Sequence, residues 1–319
     1  MECRVFGLLR KAAAARGRVG IAFGREHVAV AVVRRDAGGA PLLERCELAP
    51  FERGAAPGAV AEQLQRLGLP QLPASTVLRP EDYQLALVEA PDVPPAELRA
   101  AMRWRLRDAI DFRVEDAVID VIDVPSQGRG GQTRMLYAVA AQRSAVERHA
   151  AQLAGVASFD VVDVPELCLR NLAALVPTAD RGVALLHLGE TAATVVLVRG
   201  RTFYFARQMD LQATLRYSLD APRPVEGRVD PTGVVLELQR SLDYYERHFD
   251  QPPITRIAIA PAGPRADMLA ADLHQETGLE VAALDLNALL HAPQPVEPAT
   301  QAACMLAVGA ALREEHRSL

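Results

Sequence analysis

Two short stretches of this sequence offer backbone to a phosphate. IAFGREHVAVAVV (Ile21–Val33) and LHLGETAATVVLV (Leu186–Val198) each run an apolar strand into a glycine, Gly24 or Gly189, then polar residues, then a second apolar strand. A glycine turn presents N–H groups to an anion because no Cβ blocks close approach. Thr191 and Thr194 add hydroxyl donors to the second turn, whereas Arg25 and Glu26 follow the first. Lys11 is the only lysine and lies in the N-terminal tail, which excludes a phosphate-loop lysine, a Schiff-base lysine or a lysine general base held inside a folded site. The glycine-rich SQGRGGQTR contains no Gly-Lys-Ser/Thr and leads into a strand, so it reads as a hairpin tip.

The elements around these turns repeat. Each hairpin is followed by a short turn (Ala37–Gly39; Arg199–Arg201) and a third strand, Pro41–Leu48 or Thr202–Arg207. Strands at Val28–Val33, Gln84–Glu89, Ala117–Val124 and Met135–Ala141 alternate with helical segments at Ala59–Leu67 and Ala96–Ile110. Duplicated three-strand meanders, each followed by helices, predict two related α/β lobes facing each other across a cleft. Val235, Leu238, Leu242, Tyr245 and Phe249 recur at helical spacing and form a core stripe.

Composition bounds the partners. With 319 residues, half of them hydrophobic, the chain is long enough for one large or two moderate cores. A net charge of −5 leaves no broad basic face for a phosphate backbone, so nucleic acid is not an expected partner. No run approaches the roughly 20 apolar residues a membrane span needs, and the start of the chain has no secretory-signal pattern, so a cytoplasmic protein is expected. Arg4, Arg10, Lys11, Arg16 and Arg18 surround Val5, Phe6, Leu8 and Leu9, a pattern equally suited to a frayed basic tail or a weak anchor on an anionic membrane. Cys3, Cys46, Cys168 and Cys304 are scattered without close pairs, and are expected to be ordinary buried thiols, neither a disulfide framework nor a zinc site.

Two glycine hairpins on two lobes are the plan of the actin-like ATPase fold. The ordered set VVDVPELCLRNLAALVP, MRWRLRDAIDFRVEDAVIDVIDV, GVALLHLGE, LELQRSLDYYERHF and AACMLAVGAALR resembles the PilM-type pilus assembly proteins, most of all the MshI branch that serves MSHA-type type IV pili. The resemblance runs from Gly17 to Arg313. It implies an α/β, two-lobed actin-like fold built on duplicated RNase H-like lobes, with the inserted subdomain shared by PilM and the division protein FtsA. The implied parts are a basic tail at 1–16, a first lobe at 17–180 with an insertion at 80–144, a second lobe at 181–299 with an inserted portion at about 208–251, and a C-terminal helix at 300–319 returning to the first lobe.

In nucleotide-binding members an acid precedes each glycine hairpin and holds Mg²⁺, which neutralises charge developing on the phosphoryl group. The resemblance puts Ala22 in the first acid's place and His187 in the second's, and matches the adenosine turn to APAGPR (Ala260–Arg265), with Gly263 flanked by prolines. The nucleotide cleft, comprising Ala22, Gly24, His187, Gly189, Glu190, Thr191 and Gly263, thus reads as degenerate. No catalytic residue, metal or cofactor is expected. His187 is read as a core histidine. The alternative is an ATP-binding switch in which Asp163 or Glu166 supplies the acid to Mg·ATP. An actin-fold small-molecule kinase is a third reading, against which the broken hairpin counts.

The resemblance also implies a partner. PilM-type proteins sit at the cytoplasmic face of the inner membrane and bind the cytoplasmic N-terminal peptide of a bitopic protein, PilN, between the first subdomain and the inserted one. Arg99, Arg103, Trp104 and Arg107 on the helix Ala96–Ile110 are the candidate receivers here, since a tryptophan beside arginines suits a contact surface. Trp104 is equally consistent with covering the neighbouring sheet.

Overall fold

The structure is a computed structural model and describes residues 17–52, 54–94, 97–125, 134–155, 159–189, 192–210, 231–262 and 264–314. Strands β1 (Gly17–Phe23), β2 (His27–Arg35) and β3 (Pro41–Pro50) form an antiparallel meander. Helix α1 (Pro57–Arg66) starts on a proline, whose fixed φ suits a first turn and moves the start two residues ahead of the expected Ala59. It leads to β4 (Ala74–Val77), which joins β1 in parallel, Ala22 opposite Val77.

The chain then leaves this sheet for a smaller one built from β5 (Tyr83–Glu89), helix α2 (Leu98–Leu106), β6 (Ala117–Asp123) and β7 (Met135–Gln142), with strand order β5-β7-β6. It returns through α3 (Arg143–Gln152) and β8 (Phe159–Asp163), which completes a five-stranded first sheet of order β3-β2-β1-β4-β8. After α4 (Pro165–Ala173) the plan repeats. The meander β9 (Val183–Leu188), β10 (Ala192–Arg199) and β11 (Thr202–Asp210) precedes α5 (Pro231–His248), β12 (Arg256–Ala260), α6 (Pro264–Thr277) and β13 (Glu280–Ala283). The second sheet has the order β11-β10-β9-β12-β13, the counterpart of the first strand for strand, with β12 parallel to β9 as β4 is to β1. Helices α7 (Leu286–Leu289) and α8 (Pro298–Ala311) close the chain.

Burial explains the uninterrupted apolar run in β2. Val28, Val30 and Val32 enter a core with Val60 and Leu64 of α1, while Ala29, Ala31 and Val33 enter the large core shared with α4, α8 and the second sheet. A strand covered on both faces has no polar side to alternate. Helix α8 crosses β1 so closely that a Cβ at Gly20 would lie 1.9 Å from the Ala307 carbonyl oxygen, and Gly309 meets α4 with its would-be Cβ 2.4 Å from the Cys168 carbonyl oxygen. Asn171 Nδ2 donates to Gly309 O at 2.9 Å at the same crossing. Among the described residues no helix is long and apolar enough to cross a membrane.

Candidate functional site

The two hairpins close the same way. Gly24 N–H donates to His27 O at 2.9 Å and Gly189 N–H to Ala192 O at 3.0 Å. Ala22 is the second-last residue of β1 and His187 the second-last of β9, so the duplicated fold sets them in equivalent places at the ends of the two sheets. Ala22 lies between Ala29 and Val77, and His187 between Thr194 and Ala260. Arg25 and Glu26 are exposed at the first turn. Glu190, Thr191 and Gly263 lie outside the described residues, as do the N-terminal tail and most of SQGRGGQTR.

At these two strand ends neither side chain offers a hydrated cation a carboxylate. Burial lowers the His187 pKa to about 4, so the ring is neutral at pH 7, and Ala22 has no donor. A neutral imidazole is a poor ligand for Mg²⁺, which prefers oxygen. Asp163, at the end of β8 and in register with Val77, has both oxygens engaged: Oδ2 accepts from Arg313 Nη1 at 2.6 Å, and Oδ1 from Val164 N at 2.9 Å. Both side chains of that ion pair are buried, so the arginine already supplies the counter-charge a metal would bring.

Glu166 is fully buried on α4, and its oxygens accept the Tyr83 hydroxyl at 2.7 and 2.8 Å and Gln208 Nε2 at 3.1 Å. Burial pushes its carboxyl above the usual range. Asp163 and Glu166, the acids proposed for an Mg·ATP switch, are thus both engaged by protein partners, and among the described residues no group of three or more His, Cys, Asp or Glu side chains could hold a metal ion. Among the described residues, Ala22, His187, Asp163 and Glu166 offer Mg²⁺ no unengaged carboxylate.

His187 gives a pH prediction. It titrates near 6.5 when unfolded and near 4 when folded. Between those values the unfolded chain binds more protons, so stability falls as pH drops from about 6.5 to about 4, by about 3 kcal/mol at the bottom of that window. The difference in unfolding free energy between the natural protein and His187→Gln, followed by urea titration, should shrink over that range. The opposing contribution of Glu166 cancels in the difference.

A second region lies beside the small sheet. A cleft of about 530 Å³ is lined by Glu81, Tyr83, Gln84, Asp111, Phe112 and Gln208, among others. A recess of about 390 Å³, with Phe23, Phe51, Arg79, Arg148 and His149 in its wall, shares Glu81 with it. Asp82, between Glu81 and Tyr83 in the chain, is buried and accepts from Arg148 Nη2 at 2.5 Å and Arg79 Nε at 3.3 Å. Burial raises the Asp82 pKa, but hydrogen bonds from His149 and Arg148 and the charges of Arg148 and Arg79 outweigh it and hold the carboxyl well below its usual range. The small sheet is also tied to the second lobe, since Gln208 Nε2 donates to Tyr83 Oη at 2.9 Å and Ala206 N–H to Tyr137 Oη at 3.1 Å.

Helix α2 presents its arginines and tryptophan to solvent. Trp104 is 72% exposed, with the Arg107 guanidinium 5.1 Å from its ring centroid. It does not cover the sheet, because Met102 and Leu106 do so. Arg99 pairs with Asp120 at 3.4 Å and Arg103 Nη1 donates to Val114 O at 3.3 Å. Around α2 the cleft is lined only by residues past the helix end, Ala109, Asp111 and Phe112, so Arg99, Arg103, Trp104 and Arg107 are not part of its lining. Asp82, Tyr83, Arg148, His149 and Gln208 are the site residues that sequence reasoning missed. Their spacing carries no motif, and only the fold assembles them.

No protein-family model matches the sequence, and no curated protein matches it. Among solved structures, a chain of a PilM–PilN type IV pilus biogenesis complex superposes with a TM-score of 0.69 at 22% identity, covering 93% of this chain and 98% of that one. A Bacteroides thetaiotaomicron protein of actin-like ATPase fold and unknown function superposes with a TM-score of 0.51 at 6% identity, covering 94% and 99%. The chain has the two-lobed actin-like ATPase fold.

Proposed function

We propose that the protein is a non-hydrolysing actin-like adaptor of a type IV pilus machine, of the MSHA type, held at the inner membrane by a bitopic PilN-like partner whose cytoplasmic N-terminal peptide it binds. The observation that carries this reading is the cleft on the small sheet. β5 is an edge strand, and Gln84, Leu85 and Ala86 line the cleft, so an extended peptide can satisfy its backbone there while side chains enter the polar and aromatic walls. The end-to-end likeness to a chain of the PilM–PilN complex supports the choice of partner. The nucleotide cleft supports the adaptor role, because its acid positions are Ala22 and a neutral His187.

Co-purification from membranes, with mass spectrometry of the retained proteins, tests the reading. A bitopic pilus-assembly protein should be recovered, and its synthetic N-terminal peptide should bind. Ala86→Arg, which fills the cleft, should abolish that binding. Retention of an unrelated set of proteins would overturn the reading.

The exposed face of α2 is proposed to extend the site. Trp104→Ala should leave stability within about 0.5 kcal/mol of the natural protein because the side chain is solvent-exposed. Combined with Arg103→Glu it should weaken the peptide at least about tenfold, a loss of about 1.4 kcal/mol. Unchanged affinity with an intact fold would restrict the site to the cleft.

A further inference from the structure

Arg79 and Arg148, the two arginines that hold Asp82, also stand in the wall of the recess of about 390 Å³, where the exposed Arg25 joins them. Asp82 occupies only one nitrogen of each. It takes Nε of Arg79, which is also 3.3 Å from a Glu81 carboxylate oxygen, and Nη2 of Arg148. A guanidinium carries five N–H donors in a planar fork. Both Nη groups of Arg79, and Nε and Nη1 of Arg148, have no acceptor among the described residues, and the two side chains are 38% and 37% exposed. Phe23, Phe51 and Ala55 give the same recess apolar surface, and the buried His149 ring meets Phe23 edge-on, with 5.2 Å between centroids.

We propose that this recess is a binding site for a small amphiphilic carboxylate, its single charge held by Arg79 and Arg148 and its aromatic or aliphatic body packed against Phe23 and Phe51.

The arginines are positioned before any ligand arrives. Burial raises the Asp82 pKa, but hydrogen bonds from His149 and Arg148 and the charges of Arg148 and Arg79 outweigh it, so the carboxylate stays ionised at neutral pH and fixes both guanidinium groups from below. Donors held in this way lose little side-chain entropy when a ligand binds. The volume falls within the range of about 300–1,000 Å³ usual for small-molecule sites.

Charge selects the class of ligand. Arg25, Arg79 and Arg148 set against Glu81 and Asp82 leave one positive charge, so a monoanion neutralises the site, whereas a phosphate dianion overshoots it beside aromatic rings. The recess shares only Glu81 with the peptide cleft, and the proposal does not depend on the adaptor reading.

Isothermal calorimetry on the full-length protein with 3-phenylpropionate tests the proposal. The comparison ligands are acetate, which lacks the apolar body, 3-phenylpropionamide, which lacks the charge, and phenyl phosphate, which carries a second one. 3-Phenylpropionate should bind at least about tenfold more tightly than acetate or the amide, and at least as tightly as phenyl phosphate. Arg148→Gln should weaken it at least about tenfold, and Arg25→Gln, at an exposed position, should weaken it with the fold intact. Glu81→Gln, which removes a negative charge from the wall, should tighten it. Ala86→Arg should abolish peptide binding and leave the carboxylate affinity unchanged, so failure of the adaptor reading and failure of this proposal are read separately. Absence of measurable binding, equal affinity for acetate or the amide, a tenfold preference for phenyl phosphate, or loss of the carboxylate in Ala86→Arg would overturn the proposal, as would indifference to all three changes at Arg25, Glu81 and Arg148.

Discussion

Replacing Arg313 by methionine is expected to destabilise the protein by about 3–5 kcal/mol, the usual cost of leaving one partner of a buried ion pair uncompensated. Asp163 keeps 2% of its side chain exposed and Arg313 only 9%, and the 2.6 Å contact joins the end of β8 to the chain just after α8. The remaining bond from Val164 N–H cannot balance a full charge in that setting. Adding Asp163→Asn to the methionine variant should recover much of the loss, because the charge that needed balancing is gone. Urea midpoints for the two single variants and the double variant decide this, and a single-variant loss below about 1 kcal/mol would show that solvent reaches Asp163 in solution.

Gly20→Val should cost about 3 kcal/mol, at the upper end of the range for overpacking a core. A Cβ alone would lie 1.9 Å from the Ala307 carbonyl oxygen and 2.7 Å from Ala311 N, both backbone atoms of α8, so the whole helix must move. Gly24→Ala is the control. The three atoms nearest its Cβ would all belong to the His27 ring, the first at 2.8 Å, and His27 is a partly exposed side chain that can swing aside. Thermal unfolding should separate the two variants by several degrees. Equal losses would place the constraint in the hairpin instead of at the helix crossing.

That contrast marks how much of the molecule was legible. The duplicated hairpins were readable because each is local: a glycine, two apolar strands and a third strand lie within about 30 residues, and their order in the two sheets matches. The strands expected at Gln84–Glu89, Ala117–Val124 and Met135–Ala141 each fall within a residue of the observed bounds for the same reason. Helix α2 is shorter than the expected Ala96–Ile110, its regular part being Leu98–Leu106.

What sequence did not disclose is contact between distant segments. Nothing local in the sequence around Gly20 signals that α8 crosses it. Asp163 read as a turn residue or a metal ligand because Arg313 is far away in the chain, and the scattered cysteines gave no sign that Cys304 reaches the backbone beside Cys46. Trp104 could not be oriented from helix position alone, since Met102 and Leu106 sufficed to cover the sheet.

The central claim is that the cleft between the lobes no longer works as a magnesium ATPase. Phosphate release from Mg·ATP by the purified full-length protein, compared with a denatured sample, tests it most directly. No turnover above the denatured control is expected, and Ala22→Asp combined with His187→Asp should not restore it, because the Asp163–Arg313 pair and the proline-flanked APAGPR turn remain. Steady Mg²⁺-dependent release by the natural protein, abolished by a substitution at Gly24 or Gly189, would contradict the account.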